Sequence, residues 1–457
     1  MTGDALYDAA APDYLNRGDD MNKSRKFWLT LVIFSLTGQI AWVVENMYFN
    51  VFIYKMFAAS AADISVMVGA SATAATVTTV LMGALSDRIG KRKVMMCFGY
   101  IAWGISILAF AFIRADIIGA VFGSAVSAAS VGISLVIIMD CVMTFFGSTA
   151  NDAAFNAWLT DSTNDTNRGA AEGINSMMPL VSILVVFGGF MSFDLDREES
   201  WTVIYSIIGG IVLSIGVLGF FIIDEPPLGR ADSLGYFATI LYGFRPDVIK
   251  KNARLYLALV GFVVFNIAIQ IYMPYLIIYY EKTLEMADYV LIMAPAIIAA
   301  AVVTAFYGRL TDRYGFERTV LPALGMLFAG FLLLWLVPSV IYAEGLAMKA
   351  PVFIGSLLMM SGYLSGMAVF GTKIRNETPE NRAGRFQGLR IISQVLVPGI
   401  VGPAIGAWVL RDAPKVVNGD GTESFLPSAD IFLAALIVTA LLMAVLGVYL
   451  GARRKTR

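Results

Sequence analysis

Acidic side chains inside otherwise apolar segments are the residues of this chain best placed to do chemistry, because burying a charge in hydrocarbon is costly and such groups are retained for binding. Glu45 is the sharpest case. At 100° per residue Gln39, Trp42, Glu45, Asn46, Phe49 and Asn50 fall within about 140° of one helix circumference. They form a polar and aromatic stripe suited to face a cavity. A carboxylate there can take up a proton and release it when the cavity opens to water. It could instead fix packing through a hydrogen bond to a neighbouring helix. The amides of Gln39, Asn46 and Asn50 favour binding, since packing alone favours small residues.

Asp152, flanked by Asn151 and Asn156, is a second substrate or cation candidate. Asp140 lies twelve positions earlier, roughly 18 Å along a helix, so the spacing predicts that the two carboxylates do not share a site. Asp140 falls nearer the outer end of its segment and reads as an outer gate or a solvated charge. The second half of the chain offers Asn266, Gln270, Tyr363 and Gln394, with Tyr272, Tyr275 and Tyr279 nearby. Amides and tyrosines without fixed charge suit a neutral polyhydroxylated ligand, whose hydroxyls need donors and acceptors and whose faces stack on aromatics. The chain has no histidine, which leaves carboxylates to couple any ion.

The elements that must hold these residues are membrane helices. Hydrophobic residues make up 58% of the 457 and charged residues 15%, and the mean hydropathy of +0.73 would give a soluble chain an insoluble surface. Apolar runs of about 20 residues, enough to cross a bilayer, start near Phe27, Asp63, Lys93, Val131, Ala171 and Trp201, then near Tyr256, Asp288, Arg318, Pro351, Gly388 and Ile431. The expected fold is an all-α integral membrane protein of twelve transmembrane helices in two six-helix pseudo-repeats. Basic loops stay inside. Lys23, Arg25, Lys26, Arg88, Lys91, Arg92, Lys93, Lys250, Lys251, Arg254, Arg309, Arg313 and the terminal Arg453 to Arg457 cluster on one side, against Lys55, Arg114, Arg197, Lys282, Lys349, Arg411 and Lys415 on the other. Both termini are therefore expected in the cytoplasm of a multi-pass cell-membrane protein.

The expected organisation is a cytoplasmic tail over 1–26, disordered over 1–22, bundles over 27–223 and 256–450, a linker over 224–255 and a basic cytoplasmic tail over 451–457. The linker's apolar residues at helical spacing, followed by lysines, suggest a helix along the inner leaflet. Asn418-Gly419-Asp420-Gly421 reads as a turn rather than a calcium loop. Cys97 and Cys141 fall within spans, without metal-site spacing.

One loop pattern occurs twice. Gly83-Ala84-Leu85-Ser86-Asp87-Arg88-Ile89-Gly90-Lys91-Arg92 closes the second span, and Gly308-Arg309-Leu310-Thr311-Asp312-Arg313-Tyr314-Gly315 closes its counterpart in the second half. With twelve spans in two halves, this loop resembles that of the major facilitator superfamily; the second copy departs from it at Phe316 and Glu317, where basic residues are usual. The resemblance covers nearly the whole chain and implies a carrier fold. Asp87, Arg88, Lys91 and Arg92, with Asp312 and Arg313, are then gating candidates. Asp87 can sit at the positive end of a helix from the other half, and the basic residues can pair with inner-face carboxylates.

Asn151-Asp152-Ala153-Ala154-Phe155-Asn156-Ala157-Trp158, followed by Asp161, is similar to the end of the fourth span in the glycoside, pentoside and hexuronide cation symporters, the melibiose-carrier branch. This implies a shared cation and sugar role for Asp152. The second span departs from that branch, with Ala75-Thr76-Val77-Thr78-Thr79 in place of paired acids, and the eleventh lacks its lysine around Gln394 to Pro398. Without a Ser/His/Asp set, a histidine metal site or a phosphate-binding loop, an enzyme or ATP-driven pump is not expected. The expected function is proton- or sodium-coupled symport of a glycoside or related small polar solute. It involves the bilayer, no nucleic acid, and no cofactor beyond the coupling ion. The alternatives are carriage of an amphipathic compound such as a lysolipid or drug, or a carrier-like receptor.

Overall fold

Among the described residues, twelve helices are long and apolar enough to cross a membrane. The computed structural model describes residues 25–123, 127–164, 167–225, 242–340, 346–379, 383–418 and 421–455. The helices are α1 Arg25–Phe57, α2 Ala61–Ile89, α3 Arg92–Phe110, α4 Ala128–Asp161, α5 Arg168–Phe190, α6 Glu198–Ile222, α7 Ala253–Thr283, α8 Val290–Tyr314, α9 Phe316–Pro338, α10 Lys349–Glu377, α11 Gly388–Asp412 and α12 Asp430–Ala452. Each begins within three residues of its expected start, because hydropathy alone marks where a helix enters hydrocarbon. The tail up to residue 24 and most of the linker's expected amphipathic helix lie outside the described residues, as do Asn381 and Arg382. The described end of the linker holds a short helix, Pro246–Lys251.

Local chemistry sets the ends. Ser60 and Asp63 form a capping box that starts α2, satisfying two otherwise unpaired backbone donors. Gly90 ends α2 as a left-handed cap with φ +68 and ψ 23, and Gly315 ends α8 with φ +74 and ψ 172. Both copies of the loop thus place glycine at a positive φ, which a side chain disfavours.

Packing does not copy the repeat. In the first half a Cβ on Gly104 would lie 2.4 Å from the Leu213 backbone nitrogen, and one on Gly216 2.7 Å from that of Ile101, so glycines let α3 and α6 touch. In the second half the equivalent approach joins α9 to α10, where a Cβ on Gly362 would lie 2.3 Å from Leu327 N and one on Gly330 2.4 Å from Met359 N. Small residues at such crossings let backbones gain van der Waals contact that lipid cannot supply.

The loop between α11 and α12 folds as a hairpin, with β1 Lys415–Val417 antiparallel to β2 Glu423–Phe425. Gly421 N donates to Asn418 O at 3.0 Å, so the expected turn is the tip of a hairpin too short to show strand periodicity. Below, the basic face is the one carrying the 83–92 loop, and the far face is its opposite.

Candidate cation and solute site

Among the described residues, four π-helical segments interrupt the spans: Val44–Tyr48 in α1, Ser148–Phe155 in α4, Tyr279–Thr283 in α7 and Ile392–Leu396 in α11. They carry Glu45, Asn151 with Asp152, Glu281 with Lys282, and Gln394. Such bulges shift the register of every later side chain and are frequent at functional sites.

In α1 the shift divides the expected stripe. Glu45 is buried at 7% exposure and faces the first bundle's interior, where its Oε1 accepts from Ser71 Oγ and Thr144 Oγ1, both at 2.8 Å. Asn46 is exposed and donates to Trp42 O at 2.7 Å. Asn50 is buried and donates to Asn46 O at 2.9 Å. Both amides occupy backbone carbonyls around the bulge, and the stripe does not present Glu45, Asn46 and Asn50 to one cavity.

Asp140 differs most from expectation. It is 2% exposed, and Ser71 lies between it and Glu45. It belongs to a buried carboxylate pair, not an outer mouth. The twelve-residue spacing along α4 says nothing of α1, whose Glu45 interacts electrostatically with both Asp140 and Asp152. Glu45 Oε2 and Asp140 Oδ1 are buried with no hydrogen-bond partner. Among the described residues no Lys or Arg pairs with Glu45, Asp140 or Asp152. Asp152 is partly buried and accepts from Ser148 Oγ at 3.0 Å.

A second network joins α1, α3 and α4. Trp42 Nε1 donates to Asn151 Oδ1 at 3.3 Å, Asn151 Nδ2 donates to Tyr100 OH at 2.7 Å, and Tyr100 OH donates to Phe34 O at 2.8 Å. Asn151 therefore holds helices together and orients Trp42. Asn156, exposed just beyond the bulge, donates to Asp152 O at 3.1 Å. Gln39 is partly buried.

In the second half Asn266 is buried and donates to Phe262 O at 2.8 Å. Gln270 packs on Gly402, where a Cβ would lie 2.4 Å from its own. Tyr363 and Gln394 are partly buried.

At the basic face Arg92 integrates the loop. It is 5% exposed and donates from Nε to Asp161 Oδ2 at 3.0 Å, from Nη1 to Ser86 Oγ at 2.5 Å and from Nη2 to Asp87 Oδ1 at 2.6 Å. Glu225 accepts from the backbone N–H groups of Arg92 and Lys93 at 2.6 and 3.1 Å, placing a carboxylate on the positive end of α3. Asp87 thus pairs with its own loop's arginine. Arg88, Lys91, Asp312 and Arg313 are exposed.

Sequence reasoning missed Ser71, Thr144 and Tyr100, and it missed a far-face cluster of Lys55, Asp196, Glu281 and Lys282. The available signal for the cluster was Lys55, a cation in the last turn of an apolar helix on the side poor in basic residues.

Residues 27–403 match the family model described as Major Facilitator Superfamily. The chain belongs to that superfamily of transporters. No curated protein matches it in sequence. Among solved structures it is similar to the nucleoside transporter NupG at 12% identity, with 92% of this chain and 98% of that chain covered and a TM-score of 0.66. It is also similar to a D-xylose-proton symporter at 16% identity, covering 92% and 96% with a TM-score of 0.66. A bacterial homolog of the human lysosomal transporter Spinster, inward-facing and unoccupied, matches at 14% identity, 95% and 99% coverage and a TM-score of 0.63. At these identities the likeness is one of fold.

Proposed function

We propose that this protein is a secondary active transporter that moves a small polar solute of the glycoside class by alternating access, coupled to a proton or sodium ion. The basic face is then cytoplasmic, as are both termini. The observation that carries the reading is the run of Asp140, Glu45 and Asp152 through one bundle, with two carboxylate oxygens unpartnered and no basic residue paired to them. Such a run needs a cation, since a buried carboxylate without a partner is costly. A bound proton would also turn one of these acids into a donor. The partly buried Gln270, Tyr363 and Gln394, with the partly buried Trp42 of the first half, supply the uncharged donors, acceptors and ring faces a polyol requires. Two structural neighbours are named for a nucleoside and for D-xylose with a proton, which supports a neutral polyhydroxylated solute.

The test is transport by the purified chain in vesicles, with a glycoside panel under pH or sodium gradients. Glu45→Gln should abolish gradient-driven accumulation while solute exchange persists; unchanged accumulation removes Glu45 from coupling. A second reading, carriage of a cationic amphiphile, is favoured by the Asp152 carboxylate, whose partner is the Ser148 hydroxyl and not a Lys or Arg. Accumulation of amphipathic cations with none of any glycoside would establish it.

A further inference from the structure

Each half of the molecule contributes one positive and one negative side chain to a single cluster among the far-face charges. The first half supplies Lys55 at the end of α1 and Asp196 in the loop before α6. The second half supplies Glu281 and Lys282 from the π-helical end of α7. Lys55, only 4% exposed at its side chain, bonds to Glu281 across the halves and lies 3.2 Å from Asp196 within its own. Lys282 lies 3.1 Å from Asp196 across the halves and 3.7 Å from Glu281 within its own. The four charges form a closed ring of alternating sign.

We propose that this ring is the far-face gate of the transporter and that it opens by exchange of partners. Separating the halves breaks Lys55 with Glu281 and Lys282 with Asp196. It leaves Lys55 with Asp196 and Glu281 with Lys282, so neither half is left with an orphaned charge. A buried ion pair that loses one partner is strongly destabilised. A ring that re-pairs internally avoids that cost, which suits a contact that must break in every cycle and not one that staples the fold. Tyrosines back the ring with hydrogen bonds that water can replace: Tyr48 and Tyr289 hydroxyls lie 3.2 Å apart, and Tyr54 OH donates to Phe425 O of the hairpin at 2.7 Å.

The inference rests on the carrier reading for its role in a cycle, but its test needs no solute. Spin labels go on Glu199→Cys and Asp412→Cys, exposed far-face positions of opposite halves, with Cys97 and Cys141 replaced by alanine in the full chain in lipid nanodiscs. Lys55→Met should add a longer component to the distance distribution. Lys55→Glu with Glu281→Lys should not restore the short distance, because it sets Glu beside Asp196 and Lys beside Lys282. Reversing all four, with Asp196→Lys and Lys282→Glu added, should restore it. An unchanged distribution in Lys55→Met overturns the gate, and recovery by the two-residue exchange overturns the ring in favour of a single pair. If Lys55→Met does not fold, Lys282→Met, at a more exposed position, should still give a smaller long component, and its absence overturns the proposal equally. Loss of transport with the ring behaving as described would count against the transport reading alone.

Discussion

At Gly38 a methyl group would lie 2.2 Å from Asn151 Nδ2 and 2.8 Å from Tyr100 OH, so this position is kept empty for the amide that orients Trp42. Gly38→Ala should push Asn151 out and cost about 1–3 kcal/mol, the range for overpacking a filled interior. A lower thermal unfolding midpoint in detergent would report it. Asp196 provides a pH-dependent contribution. Burial pushes its carboxyl up, but Lys55 and Lys282 beside it bring it net below its ordinary value. A depressed carboxylate contributes fully above the unperturbed aspartate range, and its contribution is lost as pH falls through the depressed value. The charged and titratable groups around it are Lys55, Lys282, Glu281, Tyr54 and Asp194, whose Oδ1 accepts from Asp196 N. Far-face closure, read by the same spin pair, should therefore hold at neutral pH and weaken only in acid below that range. Glu45 was legible because a charge in an apolar run stands out. Ser71 and Thr144 were not, since hydroxyls in apolar helices commonly bond their own backbone.

The π-helical segments act at the scale of the element. The bulge at Val44–Tyr48 carries both the buried Glu45 and the exposed Asn46, and Asn46 and Asn50 donate to the carbonyls of Trp42 and Asn46. Asn50 is 1% exposed, so Asn50→Ala removes a side-chain hydrogen bond to Asn46 O and should cost about 0.5–1.5 kcal/mol. Asn46 is exposed and water can replace its bond, so Asn46→Ala should cost less; comparing the two unfolding midpoints checks the order. Gly104→Val should do more damage than either. Its Cβ meets the backbone of Leu213, which cannot rotate aside, so α3 and α6 must separate and folded yield should fall. Span positions were readable in the sequence, while their rotation about their own axes was not.

Across the whole molecule, Lys55 with Glu281, Tyr48 with Tyr289, Tyr54 with Phe425 and Tyr275 with Ala61 join the halves at the far face. Arg92 at the basic face binds partners within its own half. Asn156, toward the basic end of α4, is exposed, whereas Tyr54 is 4% exposed. In a background without Cys97 and Cys141, Asn156→Cys should react with a membrane-impermeant maleimide offered at the basic face. Tyr54→Cys should resist the same reagent offered at the far face, and equal labelling would mean that the closed far face does not dominate in the membrane.

By itself the sequence determined the twelve spans, the duplicated loop and the presence of acids inside apolar segments. Those properties depend on hydropathy and on neighbours within a few residues. Tertiary structure alone decided that Asp140 shares a neighbourhood with Glu45 and that Lys55 meets Glu281 from 226 positions away. It also decided that packing of the two halves departs from their repeat. The physical reason is that such contacts depend on how helices rotate and cross, and a single π bulge changes that rotation without altering the hydropathy that locates the helix.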